Sequence, residues 1–155
     1  MPRMLEMGAE PFLLVSTINV IVAQRLVRKL CKEREEYKLT KTELEKLAKH
    51  VDLDHVLEVL QKENVVGPKD DWSKIKFYRN KESGEAKDGF SGRIGIHEVM
   101  KMTTTIKEMV MKGATAEAIE QQAKKEGMST MIEDGIYKAV QGITTIEEVL
   151  RVVTE

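Results

Sequence analysis

Hydrophobic and polar positions change period along the chain, and those changes mark its elements. Residues 12–23 are apolar on nearly every side. Glu10-Pro11 marks a helix start, since proline in the first turn loses only an N–H that has no partner there. The pattern predicts a buried core helix over 12–23. A basic, β-branched strand follows at Gln24-Arg25-Leu26-Val27-Arg28-Lys29-Leu30. A helix apolar all round needs protein on every side. A short strand needs a sheet to join. Almost no chain precedes the two, so the sequence is expected to start inside a domain.

Beyond Cys31 the charge run 32–38 (KEREEYK) reads as a solvated segment. Thr42 is expected to open a helix, with Glu45 completing a capping box and Leu44, Leu47, Ala48 and Val51 on its apolar face. Asp52 or Asp54 caps a second helix bearing Val56, Leu57, Val59 and Leu60, which Gly67-Pro68 stops. From Ile75 the period shifts toward two. Ile75-Lys76-Phe77-Tyr78-Arg79 reads as a strand, 80–89 as a polar loop, and 90–102 as the returning strand. Gly92 and Gly95 inside that strand suit either plain hairpin geometry or a ligand-facing role.

The last fifty residues predict a helical array. Thr105 with Glu108 starts 106–112, Thr115 starts 116–126, Ser129 starts 130–141, and Thr145 with Glu148 starts the final helix through Val153. Ile106, Val110, Ile119, Met128, Met131, Ile136, Val140, Ile143, Ile146, Val149 and Leu150 are expected to form one small core, with methionines as gap fillers. The fold class is therefore α+β.

Composition adds mainly exclusions. Lys+Arg 25 against Asp+Glu 26 gives no field favouring nucleic acid, which argues against a helical nucleic-acid-binding domain. One cysteine excludes an internal disulfide framework. A signal peptide wants a basic head, yet Arg3 is outweighed by Glu6 and Glu10. A membrane span needs roughly 20 apolar residues, more than 12–23 supplies, so no direct membrane insertion is expected. There is no GxxxxGK[ST] loop to cradle phosphates and no GxSxG elbow. His50, Asp52, Asp54 and His55 form an HxDxDH cluster suited to a metal, but helix capping explains its aspartates better. His97 and Glu98 alternate across a strand, which keeps them from acting as a catalytic pair.

Three long blocks, PRMLEMGAEPFLLVSTINVIVAQRLVRKLC (2–31), GRIGIHEVMKM (92–102) and GMSTMIEDGIYKAVQGITTIEEVLRV (127–152), stand in the order and character found in one family. The chain resembles the C-terminal part of the type II secretion and type IV pilus assembly ATPases, weakest over 32–89. The resemblance implies the tail of a RecA-like motor domain (1–31), a helical insertion (32–89), a strand returning to the core (90–102) and a C-terminal helical subdomain (103–155). It further implies a homo-hexamer in the cytoplasm, peripheral to the inner membrane, which uses ATP and Mg2+ to drive a platform protein. The long insertion resembles the assembly and secretion branch rather than the retraction motors.

In that family the phosphate-binding loop, the Walker B acid and the histidine box precede the first block. This chain alone is therefore expected neither to bind nor to hydrolyse ATP. Many members carry four cysteines resembling a zinc site. Here Cys31 is a lone remnant, Arg34 stands at the second position, and no zinc is expected. Cys31 is read as a partly buried strand-end residue. The family places the arginine of GRxGIxE near adenine, which makes Arg93, beside Gly92, the nucleotide-proximal candidate; a salt bridge to a neighbour is the other reading. Arg25 and Arg28 either face an adjacent subunit or are solvated strand edges. The alternative to a motor piece is a non-catalytic interaction module or degenerate subunit that binds the motor or its platform. If the opening residues lack their sheet, hydrogen exchange over 12–30 will be less protected than over 105–153; equal protection would count against this.

Overall fold

In chain order the elements are α1 (Pro2–Glu6), α2 (Pro11–Thr17), β1 (Val20–Leu30), β2 (Arg34–Tyr37), α3 (Lys41–Ala48), α4 (Leu53–Lys62), β3 (Phe77–Asn80), β4 (Phe90–Lys101), α5 (Thr104–Met111), α6 (Ala116–Lys125), α7 (Met131–Val140) and α8 (Ile146–Thr154). This is the architecture of a computed structural model that describes residues 2–82, 84 and 86–154. The α+β class holds. β1 pairs with β4, while β2 pairs antiparallel with β3 in the register Arg34↔Asn80 to Tyr37↔Phe77. Contacts divide the chain into two units, 1–23 with 98–130 and 24–97 with 131–155. The stretch 103–155 is thus shared, α5 and α6 lying in the first unit and α7 and α8 in the second.

In the first unit the opening helix is shorter than its apolar run. It ends at Thr17, Ile18 is already extended, and Val20-Ile21-Val22 enter β1. Three β-branched residues favour a pleated strand over a helix, where their χ1 freedom is restricted. Nor is α2 apolar-buried all round: Leu14 and Val15 are buried, while Phe12 and Leu13 are 64% and 55% exposed. Val15 joins Met102, Ile106, Val110, Ala123 and Met128 in this unit's core. Thr103, not Thr105, caps α5, accepting from the Ile106 N–H at 3.3 Å. Thr115 caps α6 as expected.

In the second unit the charge run is not a solvated coil. Residues 34–37 form β2, exposed at Arg34, Glu35 and Glu36, and held by pairing with β3. Arg34 stacks over the Tyr78 ring at 4.6 Å and Lys76 pairs with Glu36 at 2.8 Å, cross-strand contacts that periodicity does not reveal. β4 is not β3's hairpin partner: β3 pairs with β2 and β4 pairs with β1. Thr40 and Glu43 build the capping box of α3, two residues earlier than Thr42 and Glu45. Asp52 caps α4 through the Asp54 and His55 N–H groups.

Phe77, Leu47, Leu60, Ile136 and Val149 are fully buried in the main core of this unit. Val27, Ile96 and Val152 form a second, smaller cluster. The expected single core of the last fifty residues is therefore split: Ile106, Val110, Ile119 and Met128 pack in the first unit, Ile136, Ile146 and Val149 here, and Met131 against Val27 and Ile96. Within residues 24–30 only Val27 and Leu30 are buried, at 0% and 6% exposed, while Leu26 is 51% exposed.

α7 and α8 pack so closely that a methyl group on Gly135 would collide with the Val149 side chain. Gly135→Ala is expected to destabilise the chain by roughly 1–3 kcal/mol despite alanine's better helix propensity. Phe77→Ala should cost about 3–5 kcal/mol. Urea unfolding checks both, and a Gly135→Ala chain as stable as the wild type would refute the close-packing account.

Candidate functional site

In the second unit, the polar centre is the carboxylate of Glu148, whose side chain is only 2% exposed. It lies on α8 on the same face as Thr145, Val149 and Val152, all buried. An isolated charge there would be costly, so the carboxylate must collect donors. It accepts from the Arg28 main-chain N–H at 3.0 Å, from Arg28 Nε at 2.8 Å and Nη2 at 3.2 Å, and from Arg151 Nε at 2.7 Å. Burial alone would raise its pKa, but the hydrogen bonds from Arg151 and Arg28 prevail and hold it at about 2. The same contact raises the pKa of Arg28.

Arg28 is a junction rather than a solvated edge. Its guanidinium lies 4.2 Å from the centre of the Phe90 ring and 3.4 Å from Asp88. Its carbonyl accepts from Thr144 Oγ1 at 2.8 Å, and the Leu30 N–H donates to the Ile143 carbonyl at 2.9 Å. Arg28 and Leu30 face the same side of β1, so the turn between α7 and α8 covers one strand edge. Arg25 Nη1 donates to the Val152 carbonyl on that same helix. A comparable contact lies on β4. Asp134 of α7 accepts the His97 main-chain N–H at 2.7 Å, stands 3.6 Å from His97 Nδ1, and is paired with Lys138.

Gly92 and Arg93 are exposed on β4. Gly92 has φ +77 with no atom within 4 Å of where a Cβ would stand, so its main chain is open to approach. Arg93 makes no ion pair among the described residues. The structure does not bring Arg25 or Arg28 into a shared contact with Arg93 among the described residues.

The donor set does not fit zinc. Cys31, the one cysteine, is 3% exposed, more deeply buried than a strand-end residue was expected to be, with its N–H on the Gly89 carbonyl. Arg34 is committed to Tyr78 and the Gly142 carbonyl. A lone thiol does not complete a tetrahedral site. In the HxDxDH cluster Asp52 spends its Oδ1 on the helix cap, and His55 Nε2 lies 4.0 Å from Glu133. Among the described residues no three His, Cys, Asp or Glu side chains gather as metal ligands.

The first unit holds a separate apolar cleft of about 470 Å³, walled by Ile21, Met100, Val110, Ile119 and Met128 with Glu98 and Glu120 at its margin. Arg25, Arg28, Cys31, Gly92 and Arg93 are not among its lining residues.

Sequence reasoning missed Glu148 and Asp134 as contact-making groups. The sequence pattern places Glu148 in a capping box with Thr145; the structure keeps the Thr145 half, with the Glu148 N–H donating to Thr145 Oγ1 at 3.1 Å. A signal was present: an acid at 148 shares a helix face with Val149 and Val152, which calls for a buried cationic partner. Nothing in the sequence says which cation answers.

Glu148 makes stability pH-dependent in a defined sense. Its folded pKa lies below the ordinary 4.5, so the contribution is complete above about 4.5 and is lost as pH falls toward 2. Glu148→Gln is expected to remove that acid-side loss and to cost roughly 3 kcal/mol at neutral pH. Urea midpoints from pH 7 to 2 test this; parallel profiles for wild type and variant would exclude it.

The sequence matches the family model described as Type II/IV secretion system protein over residues 1–151. It is 42% identical over 151 residues to the type II secretion system protein E of Xanthomonas campestris pv. campestris, covering 97% of this chain and 24% of the relative. It is 36% identical to the type IV pilus assembly ATPase PilB of Pseudomonas aeruginosa over 152 residues, again 97% of this chain and 24% of the relative. PilB of Myxococcus xanthus is 34% identical over 149 residues, 96% of this chain and 24% of the relative. The chain thus spans about a quarter of the length of these relatives. By this match over nearly its whole length, the chain belongs to the type II/IV secretion system protein family.

Proposed function

We propose that the chain works as the C-terminal part of a hexameric motor ATPase that powers type IV pilus assembly or type II protein secretion, contributing subunit contacts and force transmission. The observation carrying this reading is the family match over 1–151, together with relatives named as pilus assembly ATPases. The working place in this reading is the cytoplasmic face of the inner membrane, with a membrane-embedded platform protein as partner. Among the described residues no helix is long and apolar enough to cross a membrane, which is compatible with attachment through partners.

ATP and Mg2+ belong to the whole motor in this reading. The sequence here contains no GxxxxGK[ST] loop, and transfer of a phosphoryl group depends on cations and donors held around the phosphates. The contribution from this chain is Arg93, whose exposed guanidinium can stack on a purine and donate in its plane, beside the open main chain of Gly92.

A chimera tests the proposal: this chain replaces the corresponding quarter of a type IV pilus assembly ATPase. Retained ATP turnover is expected, and Arg93→Ala in the chimera should raise KM for ATP roughly tenfold with little change in kcat, as for one lost charged hydrogen bond. The chain alone should turn over no ATP. Robust turnover by the chain alone, or a chimera that folds but neither assembles nor hydrolyses ATP, would overturn the reading.

A further inference from the structure

In the second unit two acids, on adjacent helices, each accept a main-chain N–H from a different strand. Glu148 of α8 takes the Arg28 N–H of β1 at 3.0 Å, and Asp134 of α7 takes the His97 N–H of β4 at 2.7 Å. Each carboxylate also holds a cation, Arg28 and Arg151 for Glu148 and Lys138 for Asp134. Val27, Ile96 and Val152 form one apolar cluster, in which Val27 and Ile96 are 0% exposed. Each acid-bound residue follows a buried neighbour in its strand, Val27 before Arg28 and Ile96 before His97.

We infer that Asp134 and Glu148 are paired latches that bind residues 24–30 of β1 and 90–97 of β4 to α7 and α8, so that the four segments move as one rigid body. Hydrogen bonds to a carboxylate are roughly twice as strong as neutral ones. A slip of one residue would carry Val27 and Ile96 out of their cluster and break both latches together. Two further bonds close the β1 edge in the same sense, Thr144 Oγ1 to the Arg28 carbonyl and the Leu30 N–H to the Ile143 carbonyl. The strand segment that bears Arg93 is therefore joined to α7 through His97. This goes beyond the motor reading, and its test needs no nucleotide.

Amide hydrogen exchange on the full chain, followed by NMR, tests it. In the wild type, Arg28, His97, Ile136 and Val149 are expected to open as one cooperative unit, with protection agreeing within about threefold. Asp134→Asn should lower protection at His97 at least roughly tenfold, and Glu148→Gln should do the same at Arg28, while Phe77 and Leu47 lose less. Unequal wild-type protection would overturn the inference. So would losses at His97 and Arg28 that only track Phe77, the mark of general destabilisation. If either acid variant does not fold, the wild-type exchange decides: Arg28 and His97 opening together with Ile136 and Val149 supports the latches, and separate opening overturns them.

Discussion

The second unit is organised around one constraint: a carboxylate on the buried face of α8 has to remain ionised. Glu148 meets it by drawing in the Arg28 main chain and guanidinium and the Arg151 side chain. The consequences spread outward. Arg28 is turned toward α8, lies over Phe90 and reaches Asp88, so one ion group connects β1, β4, the loop before β4 and the last helix. The turn between α7 and α8 then covers the strand edge that β4 leaves free. An unpaired edge of a β-branched strand is an aggregation hazard, and here helix-borne groups close part of it.

The stretch 32–89 is held by ordinary packing. The stretch has one cysteine, Cys31, just before it, and among the described residues no three possible metal ligands gather. Its cohesion comes from Leu47, Val56, Leu60, Ile75 and Phe77, sealed by α7 and α8 through Ile136 and Val149. Arg34, at the position the second cysteine would take, instead stacks on Tyr78 and donates to the Gly142 carbonyl. Cross-strand arginine–aromatic pairs, Arg34 with Tyr78 and Arg79 with Tyr37 at 4.0 Å, add specificity to a sheet too small to stand alone.

Local signals were legible where the physics is local. The caps at Asp52 and Thr115 and the proline start of α2 all depend on residues within a turn of each other. The capping box at Thr40 and the simple cap at Thr103 each lie two residues before the expected threonine, because Thr42 and Thr105 offer the same chemistry. The charge run hid a strand because its stabilising partner lies some forty residues away at 77–80. The single core expected for the last fifty residues separated because α5–α6 and α7–α8 bury their apolar faces in different units. Asp134 and Glu148 as strand-binding groups were not legible, because the main-chain groups they hold lie on distant strands.

The sequence by itself determined the α+β class, most helix positions and, through three long ordered blocks, membership of a secretion and pilus assembly family. It also contained the contradiction that mattered most, an acid on an otherwise buried helix face. Only the tertiary structure decided how that contradiction is resolved. Glu148 and Arg28 are 120 residues apart, and periodicity reports which face of an element is apolar but not which element will lie against it. The pairing of β1 with β4, and of their N–H groups with carboxylates on α7 and α8, follows from packing whole elements together, where desolvation forces each buried charge to find a partner.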